Sequence, residues 1–181
     1  VKHQQLLLAL AAVGISGAAL AWFRSYLCAR QQRVVTHTGT SPLVAITSGV
    51  PQGTILGPVL FNIYVRKLPL TAEAFSCKLP MFADDMTLYA SRRTQAEAVA
   101  TVTDSLSAIS VDLDELGLRI NTTKTVTLMI SKSSQPLSTP IVFNQQPLTQ
   151  VSSTRILGVI VDSDVSWSGH IDFIVRKTCT K

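Results

Sequence analysis

The chain of 181 residues is 46% apolar, 15% charged and 6% aromatic, enough for one domain, or one domain plus part of another, around a hydrophobic core. That composition excludes a disordered tail, a collagen-like repeat and a disulfide-stapled miniprotein. Sixteen Lys and Arg against eleven Asp and Glu give a formal charge of +5, an excess that suits a polyanionic partner and equally suits many enzymes of neutral substrates.

From Gln4 to Phe23 no residue is charged, and LLLALAAVGISGAALAWF reads superficially as a secretory core or a short membrane span. The Ala-rich composition, the break at Gly14-Ile15-Ser16-Gly17 and the placing of Ser16 as a helix N-cap predict two helices instead. Ile15 and Leu20 then stand at staple positions on either side of that cap. The second helix runs from about Gly17 to Ala29. The segments 33–38 and 43–47 are short and β-branched, with Gly39-Thr40-Ser41-Pro42 between them, and read as a hairpin. Ser48-Gly49-Val50-Pro51-Gln52-Gly53 reads as a loop, followed by an apolar helix from Ile55 to Leu68 that is entered near Gly57-Pro58 and stopped by Pro69.

Residues 78–91 form an apolar run interrupted only by Asp84-Asp85, which predicts two strands joined at the acidic pair. From Thr94 to Leu116 the residues Val99, Val102, Leu106, Ile109, Leu113 and Leu116 make a helical stripe ended by Gly117. Glu97, Asp104, Asp112, Asp114 and Glu115 read as the solvated face of that helix. Strands are predicted over 126–130, 141–143 and 155–161, a Ser/Pro-rich loop over 131–140, and a further helix beginning over 168–177. The class is α+β, with antiparallel hairpins packed on helices. Cys28, Cys77 and Cys179 are odd in number and far apart, so neither a disulfide framework nor a zinc site is supported.

Residues 1–72 hold six basic residues (Lys2, Arg24, Arg30, Arg33, Arg66, Lys67) and no acidic one, whereas 73–120 hold eight of the eleven carboxylates. An Asp-Asp pair between strands is first of all a turn signal. Flanked by apolar strands, however, two adjacent carboxylates repel each other and resist desolvation, so they need solvent or a cation. Mg²⁺ suits such a pair, because it takes one or two carboxylates together with water and phosphate oxygens. Neighbouring strand residues face opposite ways, which makes Asp84 the principal candidate ligand and calls for a third carboxylate from another strand. The Ser48–Gly53 loop reads either as an ordinary connection or as backbone that can approach a planar ligand closely, with Gln52 supplying a donor and an acceptor.

SGVPQGTILGPVLFNIYV followed by MFADDMTLYAS resembles the reverse transcriptases of non-long-terminal-repeat (LINE-type) retrotransposons. The opening 34 residues are similar to the segment after that family's first catalytic motif, GLRINTTKTVTLMIS to its fourth motif, and RILGVIVDSDVSWSGHI to the Leu-Gly turn leading into the thumb. The resemblance implies a right-hand polymerase palm, an antiparallel sheet with helices on one face, joined to partial fingers and the start of a thumb. It divides the chain into 1–54 (partial fingers and palm with the template-nucleotide loop), 55–150 (palm with the acidic hairpin) and 151–181 (primer-grip turn and early thumb).

By position, the resemblance implies that Asp84 and Asp85 bind catalytic Mg²⁺, two ions in the full enzyme with Mn²⁺ as a substitute. Ser48, Gly49, Pro51, Gln52, Gly53 and Phe82 would lie against the templating base and the incoming dNTP, Phe82 standing where many relatives have Tyr. Lys124 would protonate the leaving pyrophosphate, although a lone Lys after Asn-Thr-Thr otherwise reads as a surface charge. Leu157 and Gly158 would grip the primer end, where the residues alone suggest an ordinary strand. The implied partners are an RNA template, a DNA primer, dNTP and the rest of a retrotransposon polyprotein, in nucleus or cytoplasm, with no membrane and no disulfide partner. Arg24, Arg30 and Arg33 are candidates for phosphate contact, and equally for plain surface charge.

Two departures from the family stand out. Lys2 replaces the usual Asp or Asn, and Arg66-Lys67 replace the usual Asn-Asp. The chain begins with Val, and the family's first metal-binding Asp is expected two residues before it. The chain is therefore expected to be a fragment with an incomplete site, little polymerase activity by itself and an exposed apolar sheet edge. Two alternatives stay open: a decayed remnant that only binds nucleic acid, and a membrane or secreted protein with a real N-terminal apolar segment.

Overall fold

Glycine placement decides how the uncharged N-terminal stretch folds. The computed structural model describes residues 1–131 and 137–179 and begins with helices α1 (His3–Ala12) and α2 (Gly17–Leu27). Between them Gly14 takes a φ of 93°, a conformation open to glycine and costly for other residues. The stretch is thus cut into helices of ten and eleven residues, and no helix among the described residues is long and apolar enough to cross a membrane. Ser16 occupies the N-cap of α2 in extended backbone, but its hydroxyl makes no capping bond. Ile15 and Leu20 each pack against the main core.

Strands β1 (Gln31–Gln32), β2 (Val35–Thr36), β3 (Gly39–Thr40) and β4 (Val44–Ala45) form one nested hairpin. Its turn falls at His37-Thr38, since Thr36 pairs with Gly39, and not over 39–42 as the composition suggests. Outward, Gln32 pairs with Val44 while the Ser41 amide bonds the Val34 carbonyl, so Arg33 lies opposite both Pro42 and Leu43. The extra residue makes a bulge, a place where proline's missing N–H does no harm.

Helices α3 (Leu56–Val65) and α4 (Lys67–Ala74) replace the single helix expected to stop at Pro69. The break comes at Arg66, and Pro69 is the third residue of α4, as Pro58 is of α3. First-turn amides have no intrahelical partner, so a proline there starts a helix without breaking it. The acidic hairpin follows as β5 (Met81–Phe82) and β6 (Asp85–Met86), continued by a Lys78–Tyr89 bridge.

Helix α5 (Gln95–Glu115) starts at Thr94, whose hydroxyl accepts the Glu97 amide, and ends at Gly117 in a Schellman arrangement. There the Leu118 amide reaches Leu113 O and the Gly117 amide reaches Asp114 O. Every member of its predicted stripe is used: Ile109 and Leu113 are buried in the main core, Val102 and Leu116 pack against it, and Val99 and Leu106 meet a smaller core of Ile141, Phe143 and Leu148.

The remaining strands are β7 (Val126–Leu128), β8 (Val142–Phe143), β9 (Gln146–Pro147), β10 (Thr149–Val151), β11 (Ser153–Ile156) and β12 (Val159–Asp162), before α6 (Ser168–Cys179). The expected single strand over 155–161 is the β11–β12 hairpin, folded about Leu157-Gly158. Of the Ser/Pro-rich loop over 131–140, residues 132–136 lie outside the described residues. Strands pair only two by two, with β7 and β10 parallel, so no continuous antiparallel sheet forms among the described residues. Most of these strands are two or three residues long, too short to extend a ladder further. The main core lies between α1, α3, α4 and α5, with Leu6, Leu10, Leu60 and Leu68 fully buried.

Candidate functional site

The acidic hairpin is a two-residue turn. Met81 pairs with Met86 and Phe82 with Asp85, leaving Ala83 and Asp84 at the tip. Ala83 takes a φ of 53°, a left-handed conformation that costs a residue with a Cβ about 1–2 kcal/mol. Partners directly opposite share a face of the ribbon. Met81 and Met86 therefore turn one face onto the main core, while Phe82, 65% exposed, and Asp85 occupy the other. Both aspartates are exposed. Among the described residues no third His, Cys, Asp or Glu joins them in a cluster able to hold a metal.

The Ser48–Gly53 loop is irregular, with φ of 92° at Gly49 and 75° at Gly53, which is where the two glycines are needed. It is held at both ends. The Gly49 amide donates to Val1 O at 2.7 Å, His3 Nε2 lies 2.8 Å from Gly49 O, and Ser48 bridges Lys2. Downstream, Thr54 Oγ1 donates to Pro51 O at 2.8 Å and accepts the Gly57 amide at 3.2 Å, closing the entry to α3. A Cβ on Gly57 would come 3.0 Å from Pro51 O, so glycine lets helix and loop approach. Gln52 and Gly53 face solvent.

Val50 packs on the same core cluster as Met81 and Met86, and this shared core is what connects loop and hairpin. No hydrogen bond or ion pair joins the two among the described residues. Lys124 is exposed in a turn whose amide bonds Asn121 O, with no bond to the acidic pair. Leu157 and Gly158 form a hairpin tip with φ of 48° and 94°, the signature of a type I′ turn. Arg30 stacks over Tyr26, which stacks on Trp22. Cys28 and Cys179 are exposed and Cys77 buried, all three free.

Asp112 is a correction to the expected solvated face of α5. It is 6% exposed and accepts from Lys67 Nζ at 2.6 Å and from the Thr71 hydroxyl. Burial pushes its carboxyl up, but the Lys67 and Thr71 hydrogen bonds and the Lys67 charge outweigh burial and hold it below the usual value. The Lys67 ammonium is raised in turn, chiefly by its hydrogen bond to Asp112. A signal for Asp112 existed, since its place between Ile109 and Leu113 puts it at the edge of the apolar stripe. His3, Thr54 and Tyr64 also went unmarked. The Tyr64 hydroxyl accepts the Lys2 amide and donates to Leu116 O.

A family model described as reverse transcriptase (RNA-dependent DNA polymerase) matches residues 1–161. The probable RNA-directed DNA polymerase from transposon BS of Drosophila melanogaster is 27% identical over 160 residues, covering 85% of this chain and 18% of that protein. Its counterpart from transposon X-element, in the same organism, is 28% identical over 152 residues, covering 82% and 16%. A putative 115 kDa protein of the type-1 retrotransposable element R1DM is 28% identical over 149 residues, covering 82% and 14%. The chain thus spans less than a fifth of the length of each of these relatives. One continuous match takes in the N-terminal helices, the glycine loop, the acidic hairpin and most of β11–β12, and by that match the chain belongs to the reverse transcriptase (RNA-dependent DNA polymerase) family, of the kind carried by non-long-terminal-repeat retrotransposons.

Proposed function

We propose that this chain is the palm-centred portion of an RNA-directed DNA polymerase, in which Asp84 and Asp85 present carboxylates to divalent metal beside a primer 3′-hydroxyl and an incoming dNTP. The observation that carries this reading is the acidic hairpin itself. A strained two-residue turn, anchored through Met81 and Met86, leaves both carboxylates in solvent with Phe82 alongside. Strain kept at a tight turn of this kind often marks a functional site.

The donor chemistry fits a hard cation. Mg²⁺ keeps several of its waters and binds through one or two carboxylates plus substrate phosphates, a donor set that two exposed aspartates can supply. When bound, such an ion stabilises negative charge developing on a phosphoryl group. In this reading the Ser48–Gly53 loop and Phe82 contact template and nucleotide, Lys124 supplies a proton to the pyrophosphate side, and Leu157-Gly158 lies against the primer end. Residues 1–54 then belong to fingers and palm, 55–150 to the palm, and 151–181 to the primer grip and early thumb. An RNA template and a DNA primer are the macromolecular substrates, and the hybrid is held through backbone and shape.

One observation favours a second reading, that of a nucleic-acid-binding module without chemistry: among the described residues no third His, Cys, Asp or Glu joins Asp84 and Asp85. Both readings are tested by fluorescence anisotropy of a labelled RNA–DNA primer–template hybrid with the 181-residue chain, followed by addition of dNTP and Mg²⁺. The polymerase reading expects salt-dependent hybrid binding that Mg²⁺ strengthens through Asp84 and Asp85, with little or no extension by this chain alone. Binding indifferent to Asp84→Asn and Asp85→Asn with Mg²⁺ present favours the module, and no hybrid binding overturns both.

A further inference from the structure

Gly49 is held by both of its backbone polar groups, and both partners come from the first three residues of the chain. Its N–H donates to Val1 O at 2.7 Å, and its carbonyl lies 2.8 Å from His3 Nε2. A carbonyl can only accept, so Nε2 carries the proton in this contact. The ring is half-buried on the first turn of α1, a helix fixed in the core by Leu6 and Leu10. On the other side of the same segment, the Lys2 amide donates to the Tyr64 hydroxyl at 3.0 Å, and Tyr64 bonds the Leu116 carbonyl at the end of α5. Residues 1–3 are therefore clamped between a buried tyrosine and the glycine loop.

From this we infer that His3 is a positioning residue for the Ser48–Gly53 loop, its Nε2–H fixing the Gly49 carbonyl and thereby the direction in which Val50 to Gly53 leave the core. Gly49 takes a φ of 92° and a Cβ built on it would meet nothing within 4 Å, so side-chain packing does not fix its peptide planes. Hydrogen bonds to its amide and carbonyl do. The functional weight of the inference rests on the proposed reading of this loop as the nucleotide contact. The positional part stands on the geometry alone.

The test pairs His3→Phe, which keeps a ring without a donor, with His3→Gln, which keeps an N–H of similar reach. Amide hydrogen exchange at Gly49 is followed by NMR, with the amides of α3 as an internal reference. The Gly49 N–H stays bonded to Val1 O and exchanges only when the loop opens, so loss of the second hold at its carbonyl is expected to speed Gly49 exchange about five- to tenfold in His3→Phe, leave α3 unchanged and be largely restored in His3→Gln. Equal Gly49 exchange in the wild type and His3→Phe would overturn the inference, as would equal acceleration in both variants. A second arm measures binding of a fluorescent N-methylanthraniloyl dGTP with Mg²⁺. Several-fold weaker binding in His3→Phe, recovered in His3→Gln, supports the inference through the loop's proposed function. No binding by the wild type counts against the nucleotide reading of the loop, and the exchange arm then decides on His3 by itself. If His3→Phe fails to fold, the wild-type imidazole ¹⁵N spectrum decides: an Nε2–H tautomer supports the contact and an Nδ1–H tautomer overturns it.

Discussion

Lys67 Nζ lies 2.6 Å from Asp112 Oδ1, which ties the start of α4 to the last turn of α5 through a carboxylate that is almost wholly buried. The Thr71 hydroxyl completes the set from one turn further along α4. Glu115 stands 3.6 Å from the same ammonium in solvent, where such a pair adds little. Asp112→Ala is expected to lower stability by about 1–3 kcal/mol, the cost of losing hydrogen bonds to a buried charged group. Urea unfolding followed by circular dichroism measures it, and an unchanged midpoint would remove this pair from the account.

Acid should weaken the same junction. Hydrogen bonds from Lys67 and Thr71 hold the folded Asp112 carboxyl below its unfolded value of 3.8 despite burial. A depressed carboxylate contributes stability above the unfolded value and loses it as pH falls through the folded one. Asp162 behaves in the same direction, mainly through the Ser166 amide. Thermal unfolding of the wild type should therefore drop more steeply below about pH 4 than that of Asp112→Asn, and parallel curves would contradict the assignment.

Ala83 stands in left-handed backbone at the tip of the acidic hairpin. Ala83→Gly releases that strain at the expense of a more flexible unfolded chain, for an expected net gain of about 0.5–1 kcal/mol. A rise in melting temperature checks it. A fall would mean that the alanine side chain makes contacts worth more than the strain.

The β11–β12 turn has left-handed backbone at both Leu157 and Gly158. Asn-Gly is the pair that a type I′ turn prefers. With Leu157 62% exposed, Leu157→Asn should stabilise the chain by a few tenths of a kcal/mol to about 1 kcal/mol. Gly158→Ala should destabilise it by at least as much. If Leu157 grips a primer, Leu157→Asn should also weaken hybrid binding while it stabilises the fold, a combination that a plain turn residue does not give.

Much of this was legible in the sequence because the signals were local. Two glycines divide α1 from α2, the Val99–Leu116 stripe is the buried face of α5, and apolar residues on both sides of Asp84-Asp85 mark the hairpin. What went unread depends on partners distant in sequence. Asp112 looks like one more acid on a polar helix until Lys67, 45 residues earlier, is packed against it. Pro69 reads as a stop because proline ends a helix or begins one, and only the break at Arg66 tells which. The loop's dependence on His3 spans 46 residues, and a half-buried imidazole bonded to a carbonyl leaves no periodic trace. The residues alone read Leu157-Gly158 as strand for a local reason, since a leucine in left-handed backbone runs against propensity, and there the family resemblance supplied the turn.

The central claim is that Asp84 and Asp85 together hold a divalent ion at the hairpin tip, and paramagnetic broadening by Mn²⁺ tests it most directly. With substoichiometric Mn²⁺ added to the ¹⁵N-labelled chain, amide signals of residues 83–86 should broaden first and recover when excess Mg²⁺ competes. In Asp84→Asn and Asp85→Asn the same signals should stay sharp. Broadening centred elsewhere on the chain, or unchanged in both variants, would contradict the claim.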